Sequence, residues 1–81
     1  MNPAIHLYDV VALLDAVQSK HFENGNPIVL QRGQIGTVVM VYDKAVYEVE
    51  FADREGRAYA LLPLSADKLM VLHETPSVAA A

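Results

Sequence analysis

The alternation of hydrophobic and polar positions predicts short strands along most of the chain. Residues 45–53, AVYEVEFAD, alternate large apolar side chains with Glu48 and Glu50. Successive side chains of a strand point to opposite faces, so the Tyr-Val-Phe set is expected in the core and both carboxylates outside. Residues 35–43, IGTVVMVYD, predict the preceding strand, and an Asp-Lys pair joins the two. This part of the chain is therefore expected to be an antiparallel hairpin.

Three further strands and one helical turn follow from the same pattern. The β-branched segment YDVVALL predicts a first strand at 8–14, RAYALLP predicts another at 57–63, and LMVL predicts a last strand at 69–72. Between the last two, residues 64–69 predict one short helical turn with Ser65 as its N-cap.

Residues 15–33, DAVQSKHFENGNPIVLQRG, form a long excursion between the first two strands of this pattern. An Asn-Gly pair, a proline and scattered polar residues predict turns there. We expect a short turn of helix at 15–18 and an extended piece at 28–30. Long loops in a domain this small are often functional.

The predicted fold class is all-β, a small SH3-like barrel of about five antiparallel strands with a long first loop and one short helical turn before the last strand. Closure into a barrel protects sheet edges that would otherwise be unpaired. Gly33 and Gly36 lie where the backbone must curl into the second strand, so we interpret both as structural. The barrel is expected to span 1–72 as one domain, with a flexible tail at 73–81.

Composition and charge narrow the functional classes. The 81 residues include no cysteine, so neither a disulfide framework nor a thiolate nucleophile is available, and a cytoplasmic protein is expected. No apolar run reaches the roughly 20 residues of a membrane span. The net charge of −4 repels polyphosphate, and Arg54 and Arg57 are interleaved with Asp53 and Glu55. Membrane and nucleic acid are therefore not the expected partners.

Four segments carry a resemblance to a known family: YDVVALL, LQRGQIGTVVMVY, YEVEFADREGRAYALLPL and DKLMVL. Together they resemble an uncharacterised bacterial domain-of-unknown-function family of small stand-alone proteins, over nearly all of the chain to about residue 72. The resemblance implies an SH3-like fold and no activity. It also implies a gene beside another small uncharacterised gene, and with it an antitoxin-like partner role.

A shorter pattern, formed by Gly33, Gly36 and Val38, is similar to the KOW module of ribosomal and transcription proteins and to the barrel of the nitrile hydratase β subunit. The KOW resemblance implies nucleic-acid binding as an alternative function. The chain departs from the nucleic-acid-binding KOW members by its acidity.

Catalytic and metal chemistry find little support in the sequence. Glu48 and Glu50 project from one strand face about 7 Å apart, which suits a small-ligand or metal site but is more typical of a solvated surface. His6, His21 and His73 lie in separate segments without ligand spacing and without a neighbouring nucleophile. We therefore expect no enzyme activity, no metal and no cofactor.

The unusual feature is an excess of apolar residues, which make up 53% of the chain. In 37–42, TVVMVY, both alternating sets are largely apolar, and so are both sets of 57–63. One small barrel has only one interior. The outer sets must be covered by the long loop and the termini, or they bind a second copy or a different protein.

These observations predict a non-catalytic protein-interaction or accessory module. The first candidate contacts are in the long loop, and the second are on the outer faces of the strands. Phe22 is expected to be an anchor tucked under the barrel rather than an exposed contact. The candidate partner-binding residues are His21, Phe22, Glu23 and Arg32, followed by Met40, Tyr42, Glu48 and Glu50.

Overall fold

The computed structural model describes residues 4–79 and is almost entirely β. Within that range, seven strands form two antiparallel sheets, and the one helical element is a 3-10 turn before the last strand. None of the described residues belongs to a helix with the length and hydrophobicity to cross a membrane. The elements are β1 Val10–Leu13, β2 Val17–Lys20, β3 Pro27–Leu30, β4 Ile35–Tyr42, β5 Val46–Ala52, β6 Ala58–Ser65, the 3-10 turn Ala66–Lys68, and β7 Leu69–Val71.

The larger sheet has five strands in the order β6-β5-β4-β1-β7. All neighbouring pairs are antiparallel, so β4, β5 and β6 form a meander, and β1 connects its edge to the last strand. The all-β prediction with a long first loop and one helical turn before the last strand is confirmed. The last strand ends at Val71, one residue earlier than expected.

The long excursion contains a second sheet that was only half predicted. Strands β2 and β3 form a hairpin in which Val17 pairs with Leu30 and Lys20 with Pro27. The extended piece at 28–30 is confirmed as part of β3, but the helical turn expected at 15–18 is wrong. Pairing with β3 gives this segment interstrand hydrogen bonds and lets Val17 pack on the core, so tertiary context outweighs local preference.

The core lies on one face of the five-stranded sheet. Strand β5 alternates as predicted: Tyr47, Val49 and Phe51 are buried, whereas Glu48 and Glu50 are half-buried on the opposite face. Full burial of each such apolar side chain contributes about 1.5–3 kcal/mol. The other buried members of the core are Val11, Leu13, Leu30, Val38, Ala60, Leu64 and Leu69.

Gly33 and Gly36 are structural for different reasons. Gly33 has φ +86° in the turn before β4, in the left-handed region that favours glycine. Gly36 lies inside β4, where a Cβ atom would be 2.7 Å from Val49 Cγ1 and 2.9 Å from Phe51 Cε1. The requirement at Gly36 is therefore the close approach of β4 to two core side chains.

Side chains organise the turns at both ends of β6. At the β5–β6 turn, Asp53 Oδ1 accepts the backbone N–H groups of Glu55 at 2.9 Å and Arg57 at 3.0 Å. The Arg57 N–H bond is the main reason that the pKa of Asp53 lies below its usual range. Ser65 precedes the 3-10 turn as expected, but its hydroxyl contacts the Asp67 carboxylate instead of capping a backbone N–H.

The ends of the chain bear on the predicted domain boundaries. After Val71 the chain is irregular, and residues 73–79 are exposed. The predicted barrel at 1–72 and tail at 73–81 include residues 1–3 and 80–81, which lie outside the described residues. The flexibility of the tail stays a prediction.

Candidate protein-interaction surface

The side of the large sheet that faces away from the core carries the main candidate surface, which we call the outer sheet face. Its central row crosses four strands, because Val10 pairs with Thr37, Thr37 with Glu50, and Glu50 with Leu61. Directly opposed residues on neighbouring strands have Cβ atoms about 4.5–5.5 Å apart. The row is therefore continuous, with apolar side chains at its two ends and a carboxylate inside.

A second row depends on a bulge in β4. The register shifts between Val38 and Met40, so that Met40 opposes Glu48, and Glu48 in turn opposes Pro63. A bulge places an extra residue in one strand and changes which face the following side chains occupy. For this reason Val38 is buried, whereas Met40 is 50% exposed on the outer sheet face.

At the other end of the sheet, a third row crosses β7, β1 and β4. Met70 pairs with Ala12, and Ala12 pairs with Ile35. Ala12 is buried, but Met70 and Ile35 are 50% and 56% exposed. The three rows together extend the outer sheet face over all five strands. Its large exposed non-aromatic side chains are Val10, Ile35, Met40, Leu61 and Met70, and the predicted contact Tyr42, which is 42% exposed and pairs with Val46, lies on the same face.

The acidic residues of this face lie within the apolar surface. Glu48 and Glu50 are half-buried and occupy neighbouring rows of β5. The Tyr42 hydroxyl donates a hydrogen bond to Glu48 Oε1 at 3.1 Å, and this bond raises the pKa of Tyr42 above its usual value. Across residues 4–79, the ion pairs are His6 with Asp9 and Arg57 with Asp53, so neither glutamate belongs to one.

The positions of the acidic and histidine side chains also bear on the alternative of a metal site at Glu48 and Glu50. Nowhere in the described part of the chain do three or more His, Asp or Glu side chains come together in a group that could hold a metal ion. Glu48 and Glu50 therefore stand as a pair of carboxylates without a third ligand of these types. Hard cations are usually held by more oxygen ligands than such a pair supplies.

The long loop covers the core side of the sheet. Leu30 is 1% exposed, and Val17 and Ile28 pack against the core beside it. The loop tip is fixed by the Phe22 N–H, which donates to the Tyr59 carbonyl at 2.8 Å. The described loop and terminal segments leave the apolar residues of the outer sheet face exposed, so the alternative in which they cover these residues is wrong.

The first candidate residues lie at two turns near the start of β6. His21, Phe22 and Glu23 form the tip of the β2–β3 hairpin, and Arg32 is exposed in the turn before β4. The tucked position expected for Phe22 is wrong, because its side chain is 58% exposed. The apolar side chains of β2 and β3 already cover the core at this point, and Phe22 is left at the solvent side of the tip.

These two turns converge on one tyrosine. The Gln34 side-chain amide donates to the Tyr59 hydroxyl, and the Tyr59 carbonyl accepts the Phe22 N–H. Within the hairpin tip, His21 Nδ1 accepts the backbone N–H of Glu23 at 3.2 Å. These contacts fix the backbone of the loop, and they leave the side chains of Phe22 and Arg32 in solvent.

The predicted contact residues did not include four apolar members of the outer sheet face: Val10, Ile35, Leu61 and Met70. The signal was partly present, since all four occupy alternating positions of predicted strands. The alternation of apolar and polar positions does not reveal the order of the strands in the sheet. That order places residues from the two ends of the chain in one row.

A groove adjoins this face at Met70. It has a volume of about 490 Å³ and is lined mainly by apolar side chains, including Ile5 before β1, Leu14 after β1 and Leu69 of β7. Because Met70 belongs both to the groove and to the outer sheet face, the groove extends the same apolar surface around the β7 edge.

Comparison with known proteins places the chain in a family. No curated protein and no solved structure matches the chain. Residues 7–71, which include all seven strands, match the family described as Domain of unknown function (DUF4926). The expected resemblance to an uncharacterised family is confirmed, and the chain belongs to the DUF4926 family.

Proposed function

We propose that the protein is a non-catalytic interaction or accessory module, an SH3-like barrel that binds another protein chain through its outer sheet face. The observation that carries this proposal is the alignment of five exposed apolar side chains on one side of a single sheet. We further propose a cytoplasmic location, since the chain has no cysteine to staple so small a domain.

The element order supports the SH3-like interpretation. The chain has a first strand, a long loop, a three-stranded meander, a 3-10 turn and a last strand that pairs with the first. In this arrangement the loop hairpin covers the interior. The opposite side of the sheet is left for contacts with other molecules.

The size of the outer sheet face fits an interface. Five strands at a spacing of about 4.8 Å make it roughly 20 Å wide. Monomeric proteins rarely expose contiguous apolar patches above a few hundred Å², and larger patches mark interaction sites. A standard interface buries about 800 Å² on each partner, and the adjoining groove extends the apolar surface available for such a contact beyond the sheet itself.

The proposed biological role is that of an antitoxin-like partner of a small protein encoded beside it. An apolar surface of this kind suits a companion protein that shields it from water, and co-synthesis with a neighbouring gene product would provide one. The acidic surface argues against the KOW-like alternative, because nucleic-acid contacts need clustered Lys and Arg.

The proposal is tested by co-expressing the protein with the product of the neighbouring gene. Met40→Asp and Leu61→Asp place a charge at exposed positions of the outer sheet face, whereas Val29→Asp places one on the exposed side of the hairpin. We expect all three variants to keep the wild-type circular dichroism spectrum. Only Met40→Asp and Leu61→Asp should lose co-purification with the neighbouring protein.

Two results would contradict the proposal. Co-purification of Met40→Asp and Leu61→Asp at the wild-type level would show that the outer sheet face is not the contact. Loss of the complex in Val29→Asp alone would move the binding surface to the loop hairpin. Measurement of RNA binding at two salt concentrations addresses the nucleic-acid alternative, since phosphate contacts weaken steeply with salt.

A further inference from the structure

We infer that the partner of the outer sheet face is a basic protein surface, an apolar patch that carries Lys or Arg side chains, and not a second copy of this chain. This inference rests on the proposed function and names the chemistry of the partner. It is carried by the position of two carboxylates inside the apolar face.

The carboxylates cannot be avoided by a partner that uses the apolar contacts. Glu50 lies between Thr37 and Leu61 in the central row, and Glu48 lies between Met40 and Pro63 in the next row. Since opposed Cβ atoms are only about 5 Å apart, a chain packed on Met40 and Leu61 also covers both glutamates.

Covering these carboxylates has a consequence for the partner. A buried carboxylate must be paired or hydrogen-bonded, because the loss of its hydration is costly. Glu48 has one such bond, from the Tyr42 hydroxyl, and within residues 4–79 Glu50 takes part in no ion pair. The missing partners have to come from the bound chain, and Lys or Arg side chains supply them.

A second copy cannot supply this charge at the same place. A two-fold symmetric dimer uses the same patch on both subunits, so a face-to-face contact encloses the Glu48 and Glu50 carboxylates of both copies in one interface, and the three rows of this face contain no Lys or Arg to pair with them. Like charges across an interface suppress the wrong pairing. The net charge of −4 on each chain adds to the repulsion. The two glutamates therefore select a basic partner and oppose self-association.

Sedimentation tests the part of the inference that concerns self-association. Glu48→Gln combined with Glu50→Gln keeps the side-chain shape and removes both charges. We expect wild type to remain monomeric up to near-millimolar concentration and the double variant to self-associate at least tenfold more tightly. The matched control is Glu55→Gln with Glu74→Gln, which removes two exposed acids away from this face and should leave the chain monomeric.

Peptide probes test the charge of the partner. The probes are two nine-residue peptides, one of alternating Val and Lys and one of alternating Val and Glu. Their binding is measured by fluorescence anisotropy at 50 and 300 mM salt, and the contact site is mapped by changes in the amide chemical shifts of the protein. The lysine peptide should bind wild type at least tenfold more tightly than the glutamate peptide, with weaker binding at high salt. The chemical-shift changes that the lysine peptide causes should map to the outer sheet face. The preference for the lysine peptide over the glutamate peptide should disappear in the Glu48→Gln, Glu50→Gln variant.

Several outcomes overturn the inference. They are a wild-type dimer at micromolar concentration, equal affinity of the two peptides, and failure of the lysine peptide to bind. Equal affinity at the outer sheet face would leave the proposed interaction function standing and remove only the choice of partner. The co-purification test with Met40→Asp and Leu61→Asp decides the interaction function separately.

Discussion

Replacing Gly36 by alanine measures how tightly β4 packs against the core. The new Cβ atom would lie 2.7 Å from Val49 Cγ1, 2.9 Å from Phe51 Cε1 and 3.0 Å from the Glu50 carbonyl oxygen. Favourable contacts between carbon atoms are at about 3.5–4.0 Å, so the neighbours must move. Val49 and Phe51 are buried at 0% and 1% exposure, so neither can relieve the contact by turning toward solvent without leaving the core.

The magnitude follows from two opposing effects. Overpacking a well-filled core costs about 1–3 kcal/mol. Alanine in place of glycine recovers about 0.5–1 kcal/mol of chain entropy. The net loss for Gly36→Ala should therefore be about 1 kcal/mol, and Gly36→Val, which adds two more carbon atoms in the same space, should lose at least about 2 kcal/mol.

Urea unfolding followed by circular dichroism measures this loss. With an m-value of about 1 kcal/mol/M for a small domain, the midpoint should fall by about 1 M for Gly36→Ala and by about 2 M for Gly36→Val. The double variant Gly36→Ala, Val49→Ala removes the nearest contact and should show a favourable coupling of at least about 0.5 kcal/mol. A wild-type midpoint for Gly36→Ala, or zero coupling, would refute the packing argument.

Three further predictions concern the loop, a turn and nucleic acid. Leu30→Ala should lose about 2–5 kcal/mol of stability in urea because Leu30 is 1% exposed, whereas Val29→Ala, its 59% exposed neighbour, should stay within about 0.5 kcal/mol of wild type. The hydrogen bond from the Arg57 N–H lowers the pKa of Asp53 in the folded protein. The stability that the Asp53 carboxylate contributes is therefore complete above the unfolded-state pKa of about 3.9, and it is lost as pH falls through the lower folded-state pKa. Asp53→Asn should therefore flatten the acid side of the pH–stability curve, and an unchanged curve would contradict this. Fluorescence anisotropy should detect no binding of RNA or duplex DNA at physiological salt, and micromolar binding with a steep salt dependence would favour the KOW-like alternative.

Strand β5 was predictable because one simple rule governs its whole length. Tyr47, Val49 and Phe51 fill the core, whereas Val46 and the two glutamates lie half-buried on the other face, so the period of two is unbroken from Val46 to Phe51. Pairing with a strand on each side keeps this register. The sequence pattern was sufficient here because burial on one face and solvation on the other act in the same direction.

The end of β4 was less predictable, because the period of two breaks inside the strand. The pattern assigns Val38, Met40 and Tyr42 to one set, but the bulge leaves Val38 in the core and turns Met40 outward. Both alternating sets are apolar there, so hydrophobicity does not specify the register. The bulge is a property of the pairing between β4 and β5, so the sequence of β4 alone does not predict it.

The loop was mispredicted in two places for a related reason. Val17 and Phe22 are both apolar residues in a polar segment, and the sequence alone does not say which of them reaches the core. The β2–β3 register decides this, because it puts Val17 on the same side as the buried Leu30. Phe22 lies beyond the paired residues, in the tip that closes the hairpin.

The same topology explains why residues 4–79 leave the outer sheet face uncovered. A single hairpin is available to cover the sheet, and it is used on the core side, where Leu30 completes the interior. The bulge in β4 then adds Met40 to the opposite side, and the last strand adds Met70. If this face bound no other molecule, polar residues at these positions would make the protein more soluble. Retaining apolar side chains around two half-buried glutamates makes physical sense when a second protein supplies both the apolar contact and the opposite charge.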